Sequence, residues 1–141
     1  MKKFMQKKLN QKGLTLVELL AVIVILGIIA AIAVPAIGNI ITNSKVNALK
    51  SDGQNVLSAA QMYFAENGEK SVDLTKLTTE GFLNEVGGLT SATVTKVDGG
   101  SNTLVGTATT KGVTVTFKGS TSKNITDAAV KGTTGTVEVT R

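Results

Sequence analysis

Few residues in this chain are placed to do chemistry, and the most conspicuous is Glu18. It stands four residues beyond the start of an apolar run from Leu14 to Val34, inside the stretch KGLTLVELLAVIVILGIIAAIAVP (Lys12–Pro35). A carboxylate at the centre of a membrane-spanning segment costs roughly 3 kcal/mol on insertion scales, so an ionisable residue there is a functional signal. Elsewhere the chemical inventory is thin. Histidine and cysteine are absent, which removes the commonest general base, the commonest metal ligand and the thiolate nucleophile. Asp127 and Glu138 are lone acids, and Asp73, Glu80 and Asp98 lack the spacing of a calcium loop. Gly99-Gly100 reads as a turn, not a phosphate cradle. Asn124-Ile125-Thr126 fits a glycosylation sequon. These residues assemble no catalytic centre, no metal site and no cofactor site.

Positioning Glu18 requires a helix. The 21 residues from Leu14 to Val34 would span roughly 32 Å as α-helix, enough for a hydrocarbon core about 30 Å thick. The charge distribution fits the same picture. The chain carries 15 basic and 10 acidic residues, for a formal charge of +5. Lys2, Lys3, Lys7, Lys8 and Lys12 all precede Gly13 with no acid among them, so everything after Gly13 is neutral overall. The basic tail is expected in the cytoplasm and the remainder translocated. A secretory signal peptide, with Ala31-Ile32-Ala33 as its cleavage site, is one alternative. Its apolar region usually runs only about 7–15 residues, and nothing in it needs Glu18. A plain single-pass anchor explains the length but again not the carboxylate.

Gly13-Leu14-Thr15-Leu16-Val17-Glu18, behind a lysine-rich leader, resembles the prepilin motif of the type IV pilin family, which includes the pseudopilins of type II secretion and competence systems. The resemblance extends over residues 7–66. It implies cleavage after Gly13 by a membrane prepilin peptidase and N-methylation of the new terminus at Leu14. It also implies assembly roles for Thr15, Glu18, the mid-segment Gly27 and the helix-kinking Pro35. The family mostly has phenylalanine where this chain has Leu14, a departure that bears on methylation more than on cleavage. Cutting after Gly13 would leave a free amine with a pKa of about 8, positive at neutral pH. Such a charge is costly in an apolar filament core unless paired. Glu18 and its own chain's amine lie on one rigid helix, so the carboxylate is expected to serve a neighbouring subunit's amine and set the axial step between helices.

The helix pattern continues past Pro35, since proline within a helix removes a donor and kinks it. Val46, Leu49, Gly53, Val56, Ala60 and Tyr63 recur at alternating spacings of three and four, an apolar stripe on an amphipathic helix. Lys45, Lys50, Asp52, Asn55 and Glu66 occupy its polar face, and Asn67-Gly68 is the stop. Residues 69–88 read as a connector with a short helix capped by Asp73, carrying Leu74 and Leu77 and ended by Gly81. Phe82 and Leu83 are expected to pack back onto the long helix, and Gly87-Gly88 breaks the pattern. Beyond Leu89, threonine, valine and glycine dominate. Strands are expected around Ala92–Val97, Asn102–Thr109, Val113–Phe117 and Val137–Val139, with turns at Asp98-Gly99-Gly100 and Lys111-Gly112. Ile125–Val130 reads as a helical turn in a loop.

The expected fold class is therefore α+β, a long N-terminal helix packed against a small antiparallel sheet of three or four strands. The expected domains are a leader at 1–13, a transmembrane and filament-core helix at 14–34, an amphipathic helix at 35–67 and a globular head at 68–141. The expected function is structural, not enzymatic: a subunit of a type IV pilus-like homopolymeric filament. It would be inserted first in the cytoplasmic membrane and then carried to the cell surface. The resemblance implies prepilin peptidase, an assembly ATPase and inner-membrane platform proteins as partners. A competence or type II secretion pseudopilin is the alternative within the family, and a monomeric membrane-anchored surface protein is the alternative outside it. Many Gram-negative pilins close the C-terminal loop with a disulfide. The lack of cysteine thus points to a Gram-positive or otherwise cysteine-sparing source. From Leu89 onward the net charge is +3, which would allow only weak, non-specific and salt-sensitive DNA contact. Phe117, the one aromatic there, falls on the apolar face and offers no stacking platform.

Overall fold

The computed structural model describes residues 2–130 and 135–141, with side chains from Thr15 onward. The elements in chain order are α1 (Lys2–Glu66), β1 (Ser71–Asp73), α2 (Leu74–Thr79), β2 (Leu89–Thr95), β3 (Thr103–Thr110), β4 (Val113–Ser120), α3 (Ser122–Asp127) and β5 (Thr136–Thr140). The chain divides into two compact units, Met1–Gly38 and Asn39–Arg141.

Helix α1 is continuous through Pro35. It ends where Asn67 donates its backbone N–H back to the Tyr63 carbonyl at 2.8 Å, just before Gly68. In the second unit its apolar stripe is the spine of the core. Val46, Leu49, Val56, Ala60 and Tyr63 are all buried, and Leu57, Ala59 and Phe64 widen the stripe. Gly53 is there for a close approach: a Cβ built on it would lie 2.7 Å from Cζ of Phe117. The Tyr63 ring meets Phe64 and Phe82 edge-on, at centroid distances of 5.9 and 5.3 Å. Phe82 and the buried Leu83 return to the helix as the sequence suggests.

The sheet has five strands in the order β1-β2-β3-β4-β5. The α+β class is as expected, but the sheet is larger than the three or four strands the sequence suggests, and it is not wholly antiparallel. Residues 69–88 hold the edge strand β1 in addition to α2. Three residues with one buried side chain, Val72, are too short to show alternation. Strand β5 pairs parallel to β4, Val115 opposite Val137 and Phe117 opposite Val139. Alternation in the sequence marks β5 as a strand but carries no information on its direction. The other three pairings are antiparallel.

Local chemistry fixes the connections. Lys111 and Gly112 both have positive φ, 38° and 84°, the geometry of a two-residue hairpin whose twist suits the flanking strands. Asp73 caps α2 by accepting from the Lys76 N–H at 2.7 Å, and Gly81 follows with φ 81°. The helical turn expected at Ile125–Val130 is α3, which begins three residues earlier. Its start is set by a capping box in which Thr121 and Asn124 bond reciprocally. The inward face of the sheet presents Val94, Leu104, Ala108, Val115, Phe117 and Val139 to α1.

Candidate functional site

Among its described residues the first unit is a helix without a core. Large apolar side chains are exposed all round it, from Leu16 at 62% through Ile32 at 71%. Gly27 and Gly38 have nothing within 4 Å of a built Cβ. A helix that is apolar on every face buries itself in a lipid or protein environment. Among the described residues, α1 is the one helix long and apolar enough to cross a membrane by length and composition. Glu18 is exposed on this helix, and none of the ion pairs among the described residues involves it. Thr15 lies one turn before it on the same helix. Pro35 sits in the helix interior, where its missing N–H leaves the Ala31 carbonyl without its usual helical donor. Gly13 and Leu14 are helical in backbone, and the Leu14 side chain lies outside the described residues.

Among the described residues no three acids, histidines or cysteines come together as metal ligands. An open groove of about 480 Å³ is lined by Leu57, Phe64, Lys96, Asn102 and Ser122, with no acid among its lining residues. The sequon residues are engaged in α3. The Asn124 Oδ1 accepts from the Thr121 N–H at 2.9 Å and from its hydroxyl at 2.6 Å, and Thr126 donates to the Ser122 carbonyl. The excess of lysine in the sheet half is partly neutralised. Lys118 pairs with Glu138 at 2.8 Å, and Lys123 pairs with Asp127 one turn along α3. That contact pushes the Lys123 pKa up, chiefly through the hydrogen bond to Asp127. Phe117 is buried on the inner face.

The polar face of α1 does more than meet solvent. Asp52 accepts the Gly88 N–H at 2.9 Å, and Gly87 runs so close that a Cβ would collide with the same carboxylate. Lys50 donates to the carbonyls of Ala128 and Thr126, at 2.8 and 3.3 Å. Gln54 reaches both Ser122 and Thr126. No local pattern announces these contacts, because their partners lie 36 to 78 residues away in sequence. Lys76 bonds Glu69 at 2.6 Å and lies 5.4 Å above the Tyr63 ring. Its ammonium, followed by the Tyr63 hydroxyl, holds the Glu69 carboxyl below its ordinary value.

A basic N-terminal segment, a membrane-length apolar helix with one carboxylate near its start, and a small α+β unit define the class of protein. The family described as "Prokaryotic N-terminal methylation motif" matches residues 8–34, the segment that carries Gly13, Leu14 and Glu18. Among curated proteins, a type IV major fimbrial protein FimA of Dichelobacter nodosus is 35% identical over 94 residues, 67% of this chain and 60% of the relative. The type II secretion system core protein G of Pseudomonas aeruginosa is 40% identical over 63 residues, 45% of this chain and 44% of that relative. A further Dichelobacter nodosus FimA is 50% identical over 42 residues, covering 30% of this chain and 27% of the relative. The chain thus spans three-fifths or less of the length of these relatives. No solved structure gives a significant match. The methylation motif and these relatives support a type IV pilin and pseudopilin family for this chain. The relatives lend no support to the Gram-positive source that the missing cysteines suggest.

Proposed function

We propose that this chain is a structural subunit of a type IV pilus-like filament. It enters the cytoplasmic membrane through α1 with its basic leader inside. Prepilin peptidase cuts it after Gly13, its new N-terminus is methylated at Leu14, and it polymerises through residues 14–34. The assembly ATPase and inner-membrane platform proteins are its partners in extrusion, and the filament is displayed at the cell surface. The carrying observation is the exposed all-apolar helix with Glu18 as its single charge, lying within the methylation motif. No residue of the apolar segment from Leu14 to Val34 provides a counter-charge for Glu18. The amine of an adjacent subunit is the cation that cleavage would create. Helices in lipid gain no hydrophobic drive from meeting one another, so this pair supplies register. Thr15, Gly27 and Pro35 shape the same packing surface.

A pseudopilin role is the second reading, supported by the similarity to a type II secretion core protein G. The test is intact mass together with filament recovery. The mature chain should lack residues 1–13, carry one added methyl at Leu14, and appear in filaments sheared from cells. A mature chain beginning at Val34 would make the segment a secretory signal and overturn the proposal. A correctly processed chain that forms no sheared filaments would favour the pseudopilin.

A further inference from the structure

Helix α1 and strand β1 are joined by Asn67-Gly68-Glu69-Lys70. Asn67 is the one asparagine of the chain that is followed by glycine. Attack of the next backbone nitrogen on an asparagine Cγ closes a five-membered ring. Glycine hinders that closure least, because it has no Cβ and turns freely. The junction leaves the attacking nitrogen available. The Gly68 N–H donates to no group among the described residues, whereas the Asn67 N–H is engaged by the Tyr63 carbonyl at 2.8 Å. Gly68 is exposed, and a Cβ built on it meets nothing within 4 Å. One contact works the other way. The Asn67 Nδ2 donates to the same Tyr63 carbonyl at 3.2 Å, which ties the carboxamide to the last turn of α1. Other asparagines are worse placed. Asn47 and Asn55 lie inside α1, Asn124 is held in the α3 capping box, and Asn84 and Asn102 precede the bulkier Glu85 and Thr103.

We propose that Asn67-Gly68 is a site of spontaneous deamidation, gated by the hydrogen bond from the Asn67 carboxamide to the Tyr63 carbonyl. When the end of α1 frays, the Gly68 nitrogen loses its proton to solvent base and attacks Asn67 Cγ. The N–Cγ bond forms and the Cγ–Nδ2 bond breaks. Nδ2 takes a proton from solvent and leaves as ammonia. Water, the sole co-reactant, then opens the succinimide at one carbonyl to give aspartate, or at the other to give isoaspartate. Either product sets a carboxylate between Glu66 and Glu69 at the C-terminal end of α1, the negative end of the helix dipole. A carboxylate also cannot donate to the Tyr63 carbonyl as the amide does. The isoaspartyl link further adds one main-chain atom ahead of β1. That strand has three residues and one buried side chain, Val72, so little holds its pairing of Ser71 with Thr95 and Val72 with Val94. The modification thus loosens one edge of the sheet in aged molecules.

Ageing the full chain in detergent micelles, at neutral and at mildly alkaline pH, tests this by peptide mapping. The peptide holding Asn67 should gain one mass unit and split into aspartyl and isoaspartyl forms before any other asparagine changes. Conversion should be faster at the higher pH, because the attacking nitrogen must lose its proton. It should be faster again in urea, where the Tyr63 contact is gone. Gly68→Ala, which the open space at Gly68 admits, should slow it at least tenfold. In the isoaspartyl chain β1 amides should exchange hydrogen at least tenfold faster than in the fresh chain, with β3 unchanged. Asn67→Asp, which carries the charge without the added atom, should have a smaller effect on β1. The site is refuted if another asparagine converts first, if G68A converts as fast, or if the folded chain stays intact through ten half-lives of the urea-unfolded one. Equal rates in micelles and urea would overturn the gate, and unchanged β1 exchange would overturn the effect on the sheet.

Discussion

The two units of this chain solve opposite problems with the same helix. In the first unit the apolar side chains described from Leu16 onward face outward on every side of α1, whereas in Asn39–Arg141 a stripe of the same helix is buried under a five-stranded sheet. The first unit has a single carboxylate and no core of its own. The second has charged residues on its surface, exposed ion pairs and a continuous apolar interior. An element's stability therefore cannot be read from its hydrophobicity alone. What matters is whether the chain itself supplies the cover. Among the described residues the chain leaves the apolar faces of the first unit uncovered and covers the stripe of the second.

The sharpest way to break this contrast is to separate the units. A fragment of residues 39–141 should be a soluble monomer with strand signal in circular dichroism and one cooperative melting transition. Aggregation, or the absence of strand signal, would show that the stripe from Val46 to Tyr63 needs cover from outside. Next in size are changes at the leader and the carboxylate in the intact chain. Replacing Gly13 with isoleucine should leave the leader attached in essentially all molecules by mass. Glu18→Gln should leave cleavage largely intact but reduce sheared filaments at least tenfold, because each incoming amine would be buried without a partner. Normal filaments from that variant would eliminate the charge pairing proposed for Glu18.

Smaller effects are expected inside the head. Phe117→Ala should lower stability by about 3–5 kcal/mol. Gly53→Ala should cost about 1–3 kcal/mol by overpacking, since its Cβ would press on the Phe117 ring. Both are measurable by denaturant midpoint on the head fragment, and neither should alter leader removal. The smallest effect is electrostatic. The Glu69 carboxyl is held below 4.5 by Lys76 and Tyr63. Its contribution is thus fully present above the unfolded value and is lost as pH falls through the lower folded one. The Glu69 contribution to the melting temperature should be constant from pH 7 to about pH 5 and decline below that. Glu69→Gln should remove it, and the change should be small because the pair is exposed.

Much of this molecule was legible in order. The apolar period of α1, its stop at Asn67-Gly68, the Asp73 cap and the Lys111-Gly112 hairpin are local, because each depends on residues within a few positions of one another. Glu18 was legible for a related reason: a charge inside an apolar run is conspicuous without any knowledge of what surrounds it. Strand β1 was not, because three residues hold too little pattern. The beginning of α3 lies three residues before the expected turn because the Thr121–Asn124 box, and not the apolar pattern, sets it.

The sequence by itself determined the membrane-length helix, the position of its one charge and the alternation that makes the strands. Each follows from the geometry of a helix or a strand acting on neighbouring residues. Tertiary structure alone decided the parallel course of β5, the seating of Phe117 against Gly53, and the use of Lys50, Asp52 and Gln54 to hold distant loops. These depend on the meeting of backbone groups far apart in the chain. A carbonyl at Ala128 is like every other carbonyl in the sequence until folding brings the Lys50 ammonium to it.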